Sequence, residues 1–324
     1  MCTAITYKTK DFYFGRNLDL EYRYREAVTV TPRNFPFVFR NGIISENHLA
    51  IIGIATVSRD YPLYYEAVNE TGLGMAGLNF PHNATYYPKN GMKNNIAPFE
   101  FIPWILGKCR SVEDAVCEIN KINLWDTDFS EEYPLSPLHW LLADKERAVT
   151  LEPMRDGLKI YKNPVGVLTN NPPFDFHMQN LAHFMNATAK PSENRFSDAL
   201  ELQACSVGMG AIGIPGDPSS ASRFVKAAFV KFNSVCEDSE SKSVNQFFHI
   251  LSSVAQQRGV TCVKESLYQY TQYSSCCNAT KGIYYYTTDG NSRITSVDMR
   301  KEDMDGMELY IYPLISEWDV YAQN

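Results

Sequence analysis

The sequence has no apolar run long enough to cross a bilayer. The longest, Leu49 to Val57, is nine residues against the roughly 20 that a spanning helix needs, and it reads as a buried strand. Positive charge is also scarce. Lys and Arg total 30 against 37 Asp and Glu, a formal charge of -7, so the general attraction to phosphate backbones and anionic lipid is missing. Neither nucleic acid nor a membrane is an expected partner. No basic segment followed by an apolar one opens the chain, so no secretory leader is read and a cytoplasmic location is expected. The sequence contains no CxxC, and its six histidines show no HxxxH or HxH spacing. The adjacent Cys276 and Cys277 point to opposite faces of any strand that holds them, so neither a protein-held metal nor another cofactor is expected. Without a leader, the eight cysteines (Cys2, Cys109, Cys117, Cys205, Cys236, Cys262, Cys276 and Cys277) are expected as reduced thiols. The Asn-x-Thr sequons at Asn69, Asn83, Asn186 and Asn278 then carry no glycosylation meaning.

What is present is an ordinary globular composition: 324 residues, 44% hydrophobic and 21% charged, enough to bury a substantial core. No linker, internal repeat or low-complexity tract divides the chain, so a single domain over 1–324 is expected. Residues 1 to about 90 alternate short β-type runs with turns: CTAITY, FYFGRNLDL, AVTVTP, FVFR and LAIIGIATV. A helical block follows, with PFEFIPWILGKC apolar at helical spacing and Ser111 and Asp114 resembling a capping box that opens VEDAVCEINKI. Strand signals return in AVTLEP, LKIYKN and VGVLTN. Two further helices are predicted, one over 219–235 and one opened by Ser243 with Gln246, carrying Phe247, Ile250, Leu251 and Val254 on one face. YQYTQYSSCC, GIYYYTT, a DGN turn and RITSVDM read as a C-terminal meander. Strands at both ends with helices between them predict one α+β domain of layered sheets and helices.

Cys2 is the first candidate for chemistry. Met is readily removed before a small side chain, and its loss leaves Cys2 as the N-terminus. An N-terminal nucleophile carries its own base, because the free α-amino group has a reference pKa of about 7.7 to 8 and lies within reach of its own side chain. The FGRNLD segment then places Arg16 and Asp19 just after the first hairpin turn, where they can return beside residue 2. A cation near a thiol lowers its pKa, and a carboxylate holds an ammonium.

Five ordered segments carry a resemblance: MCTAITY, FGRNLD, NETGLGMAGLNFP at 69–81, GVLTNNP at 166–172 and IGIPGDPSSASRF at 212–224. With the C-terminal GIYYYTT and ITSVDM strands they resemble the choloylglycine hydrolase family over nearly the whole chain, and its bile salt hydrolase branch in particular. The resemblance implies a four-layer αββα sandwich of the N-terminal nucleophile hydrolase type. It also implies a cofactor-free cysteine amidase in which Cys2, after loss of Met1, attacks an amide carbonyl. Residue by residue, the family's catalytic set falls on Cys2, Arg16, Asp19, Asn79, Asn170 and Arg223. The implied roles are orientation of the α-amino group by Asp19 and Asn170, and an oxyanion hole from Asn79 with a nearby backbone N–H. Arg16 and Arg223 would tune the thiolate and the developing charge. On the residues alone, Asn79 and Asn170 read equally as turn formers before Pro-containing segments, and Arg223 as one end of a surface ion pair.

The implied substrates are glycine- or taurine-conjugated bile acids, with a homotetrameric assembly. Burying roughly 300 Å² of steroid is worth about 7 kcal/mol, so an apolar wall is expected. By similarity that wall maps to Leu18, Tyr24, Tyr65 and Leu135, each of which is also compatible with plain core packing. Penicillin V acylase is the alternative within the family, whose members favouring that substrate tend to carry Tyr where Asn79 stands. A non-catalytic small-molecule binder on the same fold is the alternative from another class.

Overall fold

A computed structural model describes all of residues 1–324. Two antiparallel sheets are packed face to face. The seven-stranded sheet runs Val167–Leu168, Cys2–Lys8, Phe12–Leu20, Leu267–Asn278, Ile283–Thr288 and Thr295–Asp298, with Thr261–Lys264 added on the Leu267–Asn278 strand. The eight-stranded sheet runs Gly157–Lys162, Ala148–Met154, Leu138–Ala143, Gly74–Asn79, Tyr61–Asn69, Ile51–Ser58, Ala27–Thr31 and Tyr310–Pro313. Helices Ser220–Asn233 and Glu240–Ser252 cover the outer face of the first sheet, and Phe101–Lys108 packs on the second. The order of layers is therefore α, β, β, α, as the resemblance implies.

Both inner faces bury continuous apolar rows. Phe14, Val30, Ile52, Ile54, Leu78 and Leu141 meet in one core, while Phe101, Trp104, Ile105, Met75 and Trp140 belong to a second core under the outer helix. Two glycines of the segments that carry the resemblance are explained by this packing. A Cβ on Gly15 of FGRNLD would lie 2.1 Å from the Ser275 carbonyl oxygen of the neighbouring strand, and one on Gly74 would lie 2.7 Å from the Phe14 ring of the opposite sheet. Neither position has room for any side chain.

Local signals held where the cap chemistry is unambiguous. Ser111 accepts from the Asp114 amide at 3.1 Å and opens Val112–Ile119, and Ser219 opens Ser220–Asn233. The next helix corrects the sequence reading. It begins at Glu240 with Ser239 as the cap, not at Ser243, because Ser239 has the extended backbone and its oxygen accepts from Lys242. Ser243 already donates its amide to the Ser239 carbonyl, and its hydroxyl is used by Thr9 instead. FVFR supplies only a two-residue strand, Phe37–Val38, paired with Ile44–Ser45 in a small sheet of its own. No helix of the chain is long and apolar enough to cross a membrane.

Candidate active site

The site is assembled by strand register. Cys2 pairs with Leu18 and Ala4 with Arg16 across the first hairpin. Directly paired residues share a face, so the Cys2 thiol, Arg16 and Leu18 all face the space between the two sheets. Asn17 and Asp19 alternate to the helix-covered face. The two chemistries predicted for this region are thereby separated: the thiol with Arg16 inside, and the backbone nitrogen with Asp19 outside.

On the helix side, the Cys2 amide donates to Asn170 Oδ1 at 2.8 Å. Arg223, which the sequence also allowed as a surface ion pair, is 2% exposed. Its guanidinium donates to the Cys2 carbonyl at 2.5 Å, Thr3 Oγ1 at 2.6 Å and Asn170 Oδ1 at 2.9 Å. Burial lowers the Arg223 pKa, and Asp19 and Cys2 oppose that. Asp19 is fully buried; one carboxylate oxygen accepts from Thr271 Oγ1 at 2.6 Å and the other has no partner. Burial raises the Asp19 pKa against the pull of Arg223 and the N-terminal ammonium. That ammonium, on Met1, donates to the Asp19 carbonyl at 2.7 Å and to Gln269 Oε1 at 2.9 Å.

Asn79 closes the Gly74–Asn79 strand. Its carbonyl accepts from Asn170 Nδ2 at 2.7 Å, which ties the two sheets together beside Cys2, and its own half-buried side chain lines the same cavity as the thiol. Arg16 is fully buried and donates to the carbonyls of Gly77 at 2.5 Å and Tyr65 at 3.1 Å. Burial opposes its charge, but Cys2, Tyr273, Glu66 and Asp19 outweigh that and hold its pKa above the ordinary value.

Cys2, Arg16 and Asn79 line one cavity of about 330 Å³, within the roughly 300–1,000 Å³ common for small-molecule sites. Leu18, Tyr24, Tyr65 and Leu135 all line it. Tyr24 is at the mouth, 39% exposed, and the Tyr65 hydroxyl is tied to Thr56 at 3.0 Å. Sequence reasoning missed much of the wall, including Leu63, Phe99, Ile102, Phe129 and Trp140. Asp19, Asn170 and Arg223 lie behind Cys2 and do not line the cavity.

Comparison with known proteins gives a match to the linear amide C–N hydrolases, choloylglycine hydrolase family, over residues 2–312. The chain belongs to the choloylglycine hydrolase family. It is 52% identical over its full length, and the full length of the relative, to the bile salt hydrolase/transferase of Lactiplantibacillus plantarum. A solved variant of the conjugated bile acid hydrolase from Clostridium perfringens matches with a TM-score of 0.93 at 36% identity, covering 100% of each chain. Penicillin V acylase from Agrobacterium tumefaciens matches with a TM-score of 0.74 at 18% identity, over 94% of this chain and 88% of that one, a likeness of fold.

In this family member a second group of residues, none singled out from sequence, braces Asn170 from behind. His177 Nε2 lies 2.9 Å from the Asn170 carbonyl and His139 Nε2 3.0 Å from that of Thr169, while Glu152 accepts from the Phe174 amide. His177 is fully buried, its Nδ1 has no partner, and its ring stacks on Phe224. Burial above all lowers its pKa to about 4, so the neutral ring donates from Nε2. The unfolded chain takes up a proton near pH 6.5 that the folded one refuses. Stability from this residue is therefore expected to fall as pH drops from about 6.5 to about 4, by up to about 3 kcal/mol. Urea unfolding of wild type and His177→Gln at pH 7 and pH 4.5 checks it: the gap between them should narrow at the lower pH. A pH-independent gap contradicts the neutral assignment.

Proposed function

We propose that this chain hydrolyses the amide bond of glycine- or taurine-conjugated bile acids, with Cys2 as the nucleophile after removal of Met1. The observation that carries the reading is the position of Cys2, which lines a largely apolar cavity while its backbone nitrogen donates to Asn170. Loss of Met1 turns that nitrogen into a free amine with further N–H donors, and the unpaired Asp19 oxygen is an acceptor on the same side of the strand. The thiol proton passes to the α-amino group, and the thiolate attacks the carbonyl carbon. The oxyanion is met by the Asn79 amide, a preorganised donor that adds no charge of its own. When the intermediate collapses, the C–N bond breaks and the departing amine takes the proton back from the α-ammonium. Water then cleaves the thioester with the α-amino group as base, releasing free bile acid. The steroid class is supported by the printed names of the relatives and by the apolar lining of the cavity.

Release of glycine or taurine from glycocholate and taurocholate, measured beside release of phenoxyacetate from penicillin V, tests the reading. The conjugated bile acids should show the larger kcat/KM by at least about tenfold. Equal or reversed values would move the chain to the acylase alternative.

The proposal extends to a homotetramer in a reducing, cytoplasmic setting. All eight cysteines are unpaired. The segment over 185–212 exposes Met185, Phe196, Leu200, Leu202, Val207 and Ile212, each at least half accessible, apolar side chains of the kind that subunit contacts cover. Light scattering should give four times the 36.8 kDa chain mass, and Val207→Glu with Leu200→Glu should lower it. A monomer in the unaltered protein contradicts the assembly.

A further inference from the structure

Between the sheets, next to Arg16, the Tyr61–Asn69 strand buries a carboxylate that the chemistry above does not use. Glu66 is 1% exposed and does not line the cavity. One of its oxygens accepts from Ser275 Oγ at 3.0 Å and from the Tyr284 hydroxyl; the other accepts from the Tyr273 hydroxyl at 2.8 Å and stands 3.8 Å from Arg16 Nη1. The three hydroxyl donors and Arg16 all come from the opposite sheet. Burial leaves the Glu66 pKa raised on balance, although Arg16, Tyr284, Tyr273 and Ser275 pull it down. Three hydroxyl donors and a nearby guanidinium converge on it, the surroundings that favour a carboxylate over a neutral acid. Ser275 also accepts from the Arg16 backbone amide at 3.1 Å, so one hydroxyl fixes both members of the pair.

We infer that Glu66 is the positioning residue for Arg16, setting where the guanidinium stands and how much uncompensated positive charge the Cys2 thiol feels. The inference rests on Cys2 being the nucleophile. A buried cation beside a thiol lowers its pKa, and a counter-ion behind that cation reduces the effect. The other charged or titratable groups about Cys2 and Arg16 include Asp19 on the hairpin partner, Arg223 on the covering helix, Tyr273 on the neighbouring strand, Glu21 and Tyr65 in the shared cavity, and the N-terminal amine. Asp19, Arg223 and the N-terminal amine make no contact with Glu66, so a change there reaches Cys2 through Arg16 and the two tyrosine hydroxyls it holds.

Glu66→Gln keeps the shape and removes the charge, and Glu66→Asp keeps the charge and shortens the reach. The readout is the pH dependence of Cys2 alkylation by iodoacetamide, followed by mass on the N-terminal peptide of the matured enzyme, together with kcat and KM for glycocholate. In Glu66→Gln alkylation of Cys2 near neutral pH should speed up severalfold and kcat should fall by about tenfold, with KM within about threefold. In Glu66→Asp the alkylation profile should stay as in the wild type while kcat falls; this variant carries the test if the Gln variant does not fold. A folded Glu66→Gln, or a folded Glu66→Asp, with wild-type kcat and alkylation profile overturns the inference. Activity retained in Cys2→Ala overturns the nucleophile assignment itself; a silent Glu66 series beside an inactive Cys2→Ala overturns this inference alone.

Discussion

Cys2→Ala is expected to lower hydrolysis of conjugated bile acids by on the order of 10⁴-fold or more, because removing a covalent nucleophile removes the reaction path and leaves only binding and oxyanion stabilisation. Cys2 is alone among the eight thiols in lying next to a nitrogen that becomes a free amine when Met1 is lost. Cys276 and Cys277 are fully buried and burial pushes both thiols up, so they are poor nucleophiles, and substitution there reports packing. The informative control is the exposed Cys117, where Cys117→Ser should leave turnover unchanged. Protein that retains Met1, identified by intact mass, should be folded and inactive, since an amide nitrogen at residue 2 cannot take the thiol proton. Full turnover from such protein, or from Cys2→Ala, would falsify the N-terminal nucleophile mechanism.

Asn79→Ala is expected to lower kcat by roughly 10² to 10³ with a smaller change in KM, because the donor is needed most when charge develops on the carbonyl oxygen. The structure adds a reason to separate this effect from folding. The Asn79 group bonded to Asn170 is its backbone carbonyl, which the Ala variant keeps, so Cys2 and Asn170 should stay in place. Asn79→Tyr puts a ring into the cavity that Leu18, Tyr65 and Leu138 share, and should hurt the rigid steroid substrate more than the compact phenoxyacetyl group of penicillin V. Steady-state kcat and KM on glycocholate and penicillin V measure both effects. A nearly silent Asn79→Ala returns the residue to turn chemistry, and an equal loss on both substrates from Asn79→Tyr removes it as a determinant of specificity.

Features written in short stretches of sequence were legible before any fold. Ser111 caps the helix it precedes, the helix read over 219–235 forms over Ser220–Asn233, and CTAITY and the continuous apolar run LAIIGIATV form strands. The error at Ser243 has the same origin as those successes. S-x-x-Q occurs there by composition, and only the extended backbone at Ser239 decides which serine stands outside the helix. FGRNLD allowed Arg16 and Asp19 to be placed near residue 2 because a hairpin brings near neighbours together. It did not show that they lie on opposite faces of the sheet, which follows from the pairing of Cys2 with Leu18.

The sequence by itself determined the class of protein, the strand and helix character of most segments, and six candidate residues, since periodicity, cap chemistry and ordered motifs are local properties of the chain. Tertiary structure decided what those residues meet. Glu66 is 50 positions from Arg16 and more than 200 from Tyr273 and Tyr284, and Phe99, Phe129 and Trp140 reach the cavity from three separate segments. No spacing rule links such positions, because side-chain periodicity fixes only the face a residue takes. Which faces are pressed together is set by packing two twisted sheets and their helices to the density of a solid.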